Sequence, residues 1–208
     1  MSTGHGPTPS IDFDQPPADP FPLLESWLAD AMRLPTQNPN AMTLATVDAD
    51  GAPSARIVLL RGLTREGARF FTNRRSRKGR ALEANARAAL LFHWDALDRQ
   101  IRIEGRVSLA TDAESDEYFA QRPVDSRVNA WASDQSEPVA SRAALERRAE
   151  EMTVRFAGTE VPRPPHWGGY RVSLDRIEFW QGDKYRLHDR VEYARTTEGR
   201  YEVRRLSP

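Results

Sequence analysis

Ile177-Glu178-Phe179-Trp180-Gln181-Gly182-Asp183-Lys184-Tyr185-Arg186-Leu187-His188-Asp189-Arg190 is the stretch on which the reading of this chain turns. It opens as an alternating strand, with Ile177 and Phe179 on one face and Glu178 and Trp180 on the other. Gly182-Asp183 interrupts the pattern, and a second run carries Arg186, His188 and Arg190 at alternate positions. On a strand those three share a face. Two guanidiniums around an imidazole would line a site for an anionic, aromatic ligand. The same residues read equally well as a solvated strand face, because charge is seldom buried without partners.

Further strands surround this one. Tyr170–Leu174 precedes it, and Arg186–Ala194 and Tyr201–Leu206 follow, parted by the turn residues Glu198-Gly199. Arg99–Leu109 alternates Gln100, Arg102 and Glu104 against Ile101, Ile103 and Gly105. Ala41–Val47, Ser54–Leu60, Ala68–Thr72 and Ala88–Trp94 complete the set, with turns at Asp48-Ala49-Asp50-Gly51 and Arg65-Glu66-Gly67. Ile57-Val58-Leu59-Leu60 is unbroken apolar sequence and is expected to be buried on both faces. Helices fall between the strands. Leu24, Trp27, Leu28 and Ala31 recur at helical spacing after Asp19-Pro20, and Ser76 is placed to cap a helix that opens with Arg77-Lys78. Thr111 or Asp112 starts another that runs through Phe119 and is stopped by Arg122-Pro123. Ser141–Phe156 is an amphipathic helix, Val124–Pro138 reads as a polar loop, and Val161–Pro165 as a rigid linker. About eight strands with turn-sized gaps and inserted helices define an α+β chain with an antiparallel barrel or strongly curled sheet. Residues 1–18, poor in large apolar side chains, read as a mobile tail before a single domain at 19–208.

Composition narrows the functions. Thirty Lys and Arg balance thirty Asp and Glu, so no global field favours nucleic acid or membrane. Locally the balance breaks: Ser54–Arg106 holds thirteen Lys and Arg against five Asp and Glu. Without cysteine there is no disulfide framework, thiol catalysis or cysteine-ligated metal. His5, His93, His166 and His188 lack zinc-site spacing, so no metal is expected. The chain lacks G-x-G-x-x-G, a Walker loop and G-x-S-x-G. It also shows no bilayer-length apolar run and no signal peptide, and the expected compartment is the cytoplasm. What remains is a set of anion-binding and stacking parts. Arg56 and Arg61 stand at the two ends of one strand, Arg77-Lys78 at a helix start, Tyr118 and Arg122 four residues apart, and Trp180 offers a flat ring. Cations at a helix start oppose the macrodipole unless an anion sits there. The inventory suits a phosphorylated planar ligand, with a cofactor supplying the harder chemistry.

Several blocks together resemble the FMN-dependent pyridoxine/pyridoxamine 5′-phosphate oxidase family: R-I-V-L-L-R, F-F-T-N-x-x-S-R-K-G, R-Q-I-R-I-E-G, Y-F-x-x-R-P-x-D-S, W-A-S-x-Q-S, P-P-H-W-G-G-Y-R-V, E-F-W-Q-G and R-L-H-D-R. They occur in the family's order from about Pro17 to Pro208. The resemblance implies an FMN-binding split barrel with peripheral helices, assembled as a homodimer with FMN in clefts between subunits. By motif, Arg56, Ile57, Val58, Leu59, Leu60, Phe71, Thr72, Arg77, Lys78 and Gln100 would hold FMN. Gln135, Ser136, Trp180 and Arg190 would complete that site from the other subunit. Arg61, Tyr118, Arg122 and Ser126 would grip the substrate phosphate, and Arg186 and His188 would face the pyridine ring as catalytic groups. The implied reaction takes pyridoxamine 5′-phosphate or pyridoxine 5′-phosphate to pyridoxal 5′-phosphate, with oxygen as acceptor and hydrogen peroxide as product. Arg61 stands where the family commonly has Lys, which replaces a point charge by a planar fork. The basic segment with tyrosine that closes over the substrate in some members has no counterpart near the start of this sequence. The alternatives are a same-fold flavin oxidase acting on a phenazine-type precursor and a binding protein whose basic 54–106 stretch meets nucleic acid.

Overall fold

The structure, a computed structural model, describes residues 11–208. Five helices, α1 (Phe21–Ala31), α2 (Arg77–Ala84), α3 (Asp112–Ala120), α4 (Val124–Ala132) and α5 (Arg142–Arg155), punctuate ten strands. These are β1 (Ala41–Val47), β2 (Pro53–Leu59), β3 (Gly62–Thr64), β4 (Gly67–Asn73), β5 (Arg87–Trp94), β6 (Arg99–Leu109), β7 (Trp167–Val172), β8 (Arg176–Gln181), β9 (Asp189–Arg195) and β10 (Tyr201–Arg205). Every pairing is antiparallel. The long strand β6 is where the sheet forks. Its first half, Arg99–Glu104, pairs with β8, and its last residues, Val107–Leu109, pair with β7. One branch continues through β9 to β10 and the other through β4 to β3. On its opposite side β6 leads through β5 and β1 to β2. The strands β2-β1-β5-β6-β7-β4 thus wrap into a barrel that stays split between β2 and β4. At that seam Arg61 N–H donates to the Arg69 carbonyl at 2.7 Å, where a closed barrel would have a ladder.

Alternation puts Met42, Leu44, Phe70, Leu90, Phe92, Ile101, Ile103, Ile177 and Phe179 into one core, all shielded from water. Helix α1 plugs one end with Trp27, edge-on to Phe179 at 5.2 Å. Beneath it the Arg99–Asp30 ion pair, 2.8 Å long, is buried. Residues 1–10 of the expected tail lie outside the described residues, as does His5. The rest of that segment is tied down: Phe13 is in the core, and Pro17 O accepts from the Tyr193 hydroxyl at 3.0 Å. One aromatic side chain anchors a segment whose composition reads as mobile.

Two expectations need correction. Val124–Ala132 is helical, with Val128 and Ala132 buried four residues apart. Ile57–Leu60 is not buried on both faces; Ile57 is 63% exposed, because β2 pairs with β1 alone and its other flank is the seam. Helix α3, which carries part of the cleft described below, starts in a capping box. Thr111 Oγ1 accepts from Glu114 N–H at 3.1 Å while Glu114 Oε2 accepts from Thr111 N–H at 2.8 Å. The Thr111 hydrogen bond leads the effects that lower the Glu114 pKa, with Arg171 and Arg69 adding to it. This stabilisation is present above the ordinary carboxylate range and is lost as pH falls through the lowered folded-state value. Thr111→Ala is expected to cost about 1 kcal/mol in urea unfolding at neutral pH, a loss of the size that removing one N-cap produces.

Candidate active site

A cleft of about 450 Å³ opens at the seam. That volume falls in the range of small-molecule sites. Strand β2 contributes Ile57, Val58 and Leu59 as an apolar wall; β4 contributes Phe71, Thr72 and Asn73. Lys78 enters from the first turn of α2, Tyr118 from α3, and Ser126, Asn129 and Ala130 from α4. Arg61, Arg122, Ser133, Gln135 and Trp167 complete the lining. Phe71, Tyr118 and Trp167 form a stack, with Phe71 4.3 Å from Tyr118 and 5.5 Å from Trp167.

The charge in this cleft is unbalanced. Arg61, Lys78 and Arg122 line it, and no Asp or Glu does among the described residues. Lys78 is 9% exposed and donates only to neutral oxygens, at 2.9 Å to Gln135 Oε1 and 3.3 Å to Thr72 and Ser76 hydroxyls. Burial, then the nearby charge of Arg56, lowers its pKa from the ordinary 10.5 to about 8. Arg122 lies over the Trp167 ring at 4.9 Å, and its Nη1 is buried without a hydrogen-bond partner. Burial lowers the Arg122 pKa, and Arg61 adds to the effect. Arg61 itself sits over Tyr118 at 5.6 Å. Arg61 is exposed, but the buried Lys78 ammonium and the buried Nη1 of half-buried Arg122 are costly without counterions, so the arrangement calls for an anion.

The helix start that supplies Lys78 is built for close approach. Ser76 Oγ accepts from Gly79 N–H, and any Cβ on Gly79 would collide with the Arg74 carbonyl. Arg56 stands beside this point without lining the cleft. Its guanidinium donates to Leu44 O, Thr46 Oγ1 and Ser54 Oγ, all neutral, and its pKa is lowered by burial and then by Arg77. Arg77 is exposed and already paired with Asp48 at 2.6 Å. Leu60 packs against the core, and Ser136 sits in a turn with φ 78° without lining the cleft. Gln135 stands in the chain's own cleft, bonded to Lys78 and Thr72, so it does not have to come from a second subunit.

The remaining expected site residues lie elsewhere. Gln100 on β6, Trp180 on β8 and Arg190 on β9 are direct neighbours in register across three strands and share a second recess with Glu178. Four strand steps separate β8 from β2, about 19 Å along the sheet. Arg186 and His188 do not share a strand face with Arg190. Lys184–Arg186 forms a tight turn, with φ 59° at Tyr185 and 64° at Arg186, and β9 begins only at Asp189. Gly182-Asp183 starts a loop that is longer than alternation alone suggests. His188 packs on Trp180 at 4.7 Å, and its Nδ1 accepts from Asp183 N–H at 3.1 Å. In the neutral ring the proton is therefore on Nε2. Asn73, Asn129, Ser133 and Trp167 line the cleft without having been singled out as site residues. Asn73, Ser133 and Trp167 fall within the F-F-T-N, W-A-S and P-P-H-W blocks, which were the available signal.

Fold and site together define a split-barrel protein with a cationic, aromatic cleft at its seam. The family model described as pyridoxamine 5′-phosphate oxidase matches residues 28–156, and one described as a pyridoxine 5′-phosphate oxidase C-terminal dimerisation region matches 167–208. The pyridoxine/pyridoxamine 5′-phosphate oxidase of Cupriavidus metallidurans is 56% identical over 190 residues, covering 91% of this chain and 89% of that protein. The protein of that name from Bordetella petrii is 54% identical over 195 residues, 94% of this chain and 92% of its own. Among solved structures, PhzG from Burkholderia lata 383, in complex with tetrahydrophenazine-1-carboxylic acid, superposes with a TM-score of 0.87 at 34% identity, over 96% of this chain and all of that one. This chain belongs to the pyridoxamine 5′-phosphate oxidase family, a family of flavoprotein oxidoreductases, and carries its dimerisation region. No helix among the described residues is long and apolar enough to cross a membrane.

Proposed function

We propose that the protein is an FMN-dependent oxidase that converts pyridoxamine 5′-phosphate and pyridoxine 5′-phosphate to pyridoxal 5′-phosphate. The observation that carries this reading is the cleft with three cations and no acid. It offers two anion positions, one at Lys78 and the start of α2, the other at Arg61, Arg122 and Ser126. A flavin phosphate and a substrate phosphate would fill them. The residues fit FMN: Lys78 is a buried cation without a counterion, and Ile57–Leu59 form an apolar wall against which a flat ring can lie. Trp180 and Arg190 fall inside the region matched to dimerisation, with Gln100 beside them in register. This supports a site in which one subunit's Gln100–Trp180–Arg190 row completes its partner's cleft in the homodimer.

The cofactor would supply the redox chemistry, taking a hydride from the substrate's C4′ carbon and delivering the electrons to oxygen. For the amine, substrate, oxygen and water give aldehyde, ammonia and hydrogen peroxide. This chain's residues bind and orient. Arg61, Arg122 and Ser126 fix the phosphate, which does not change during the reaction. The His188 Nε2–H is a donor that holds the pyridine ring in place, and Arg186, whose guanidinium has no partner among the described residues, would cover it. Positioning of this kind can supply much of the acceleration. The likeness to PhzG favours a second reading, oxidation of a reduced phenazine precursor. The carboxylate of such a precursor would also pair with Arg61 and Arg122, so the comparison of phosphorylated with dephosphorylated pyridoxamine separates the two readings.

Purified protein should be yellow and dimeric with one FMN per chain. It should release hydrogen peroxide with pyridoxamine 5′-phosphate and not with dephosphorylated pyridoxamine at equal concentration. Equal rates with the two would overturn the assignment of Arg61 and Arg122.

A further inference from the structure

We infer that Glu178 is a positioning residue for the flavin site, acting through Arg190; this rests on the reading above that Arg190 binds FMN. Glu178 lies on β8 between the two strands that supply Arg102 and Arg190. It is 6% exposed, and each of its carboxylate oxygens takes a different arginine. Oε1 accepts from Arg190 Nε at 2.9 Å, and Oε2 accepts from Arg102 Nη2. Arg190 Nη1 donates in turn to the Ser207 carbonyl at 2.8 Å. Two of the three guanidinium nitrogens are thereby fixed, and Nη2 has no partner among the described residues.

A planar guanidinium held at two of its nitrogens cannot rotate about its stem, so the direction in which Nη2 donates is set before any ligand arrives. Glu178 is the charged half of that clamp. Its burial prevents water from taking its place, and its second oxygen is held by Arg102 on the far side, itself also paired with Glu104, so the carboxylate that faces Arg190 is fixed in direction. Arg190 stands in register beside Trp180, which stands beside Gln100. Loss of Glu178 would free one member of this row and leave the other two in place. Preorganisation of a donor raises affinity by reducing what binding must order.

The test is a double-mutant cycle on FMN affinity, measured by quenching of flavin fluorescence on the full-length dimer, with Glu178→Gln, Arg190→Ala and the double variant. Glu178→Gln should weaken FMN binding about tenfold or more, the scale of one charge-assisted hydrogen bond. In the Arg190→Ala background the same change should have less than about a twofold effect, because sites that act through one another are not additive. An equal loss in both backgrounds would mean that Glu178 acts by packing alone, and would overturn the inference. If Arg190→Ala leaves FMN affinity unchanged, the assignment of Arg190 to the flavin fails, and the inference falls with it. Glu178→Asp, which keeps the charge and shortens the reach, carries the same cycle if the Gln variant does not fold. Its loss should likewise vanish once Arg190 is absent.

Discussion

Lys78→Met weakens FMN binding by one to two orders of magnitude and leaves the fold intact; that is the expected result of removing the one buried cation at the start of α2. A charge-assisted hydrogen bond contributes about 1.5–3 kcal/mol. The side chain already sits among neutral oxygens of Thr72, Ser76 and Gln135, so its ammonium has no other counterion to satisfy. Arg77→Ala should do far less, since Arg77 is exposed and paired with Asp48. The pH dependence follows from the lowered pKa of about 8 in the ligand-free protein. Below pH 8 Lys78 is charged in both folded and unfolded chains, and its burial is a full cost to stability. Between pH 8 and its ordinary value of 10.5 the unfolded chain binds more protons, so ligand-free stability gains a contribution as pH rises. FMN affinity runs the other way. It is flat below pH 8 and falls above it, by up to about tenfold per pH unit, because binding then requires proton uptake. Fluorescence titration between pH 6.5 and 9.5 would show this, and Lys78→Met should abolish the slope. A slope that survived the substitution would move the titrating group elsewhere.

Much of this architecture is legible in the residues, and the parts that are not have a common cause. Local signals hold: Ser76 caps α2, Thr111 caps α3, Ser141 caps α5, and β6 alternates along its core-facing half. Helix α4 escapes notice because Asp125, Ser126, Arg127 and Asn129 dominate its composition, yet Val124, Val128 and Ala132 carry the helical spacing, and Pro123 precedes its first turn. Ile57 looks like core because apolar sequence does not distinguish a buried strand from one that faces an open cleft. Arg186, His188 and Arg190 look like one face because alternation assumes an extended backbone, and two successive left-handed residues break it. The division of the site is the least legible feature. It depends on which strand β6 pairs with at each end, a long-range register that no local pattern encodes.

Arg122→Ala should raise KM for pyridoxamine 5′-phosphate by roughly 10- to 100-fold while kcat changes by about threefold or less, because a phosphate contact that is the same before and during hydride transfer contributes uniform binding. The guanidinium sits over Trp167 at 4.9 Å, and its Nη1 is buried without a partner, so the free protein bears a desolvation cost that a bound phosphate would relieve. Arg122→Lys keeps the charge but loses the stack and the fork, and should recover only part of the affinity. His188 should divide the constants differently. Its Nδ1 is occupied by the Asp183 N–H, which leaves Nε2–H as the ring's donor, the group that the proposed function assigns to the substrate. A glutamine amide nitrogen reaches the position of Nε2 and an asparagine amide does not. His188→Gln should therefore retain more kcat than His188→Asn, with KM moved less than in Arg122→Ala. If His188→Asn is the better enzyme, the ring works through Nδ1 and the Asp183 contact breaks on binding. If neither variant alters kcat or KM, the 183–188 turn lies outside the site and the substrate ring is held by other groups.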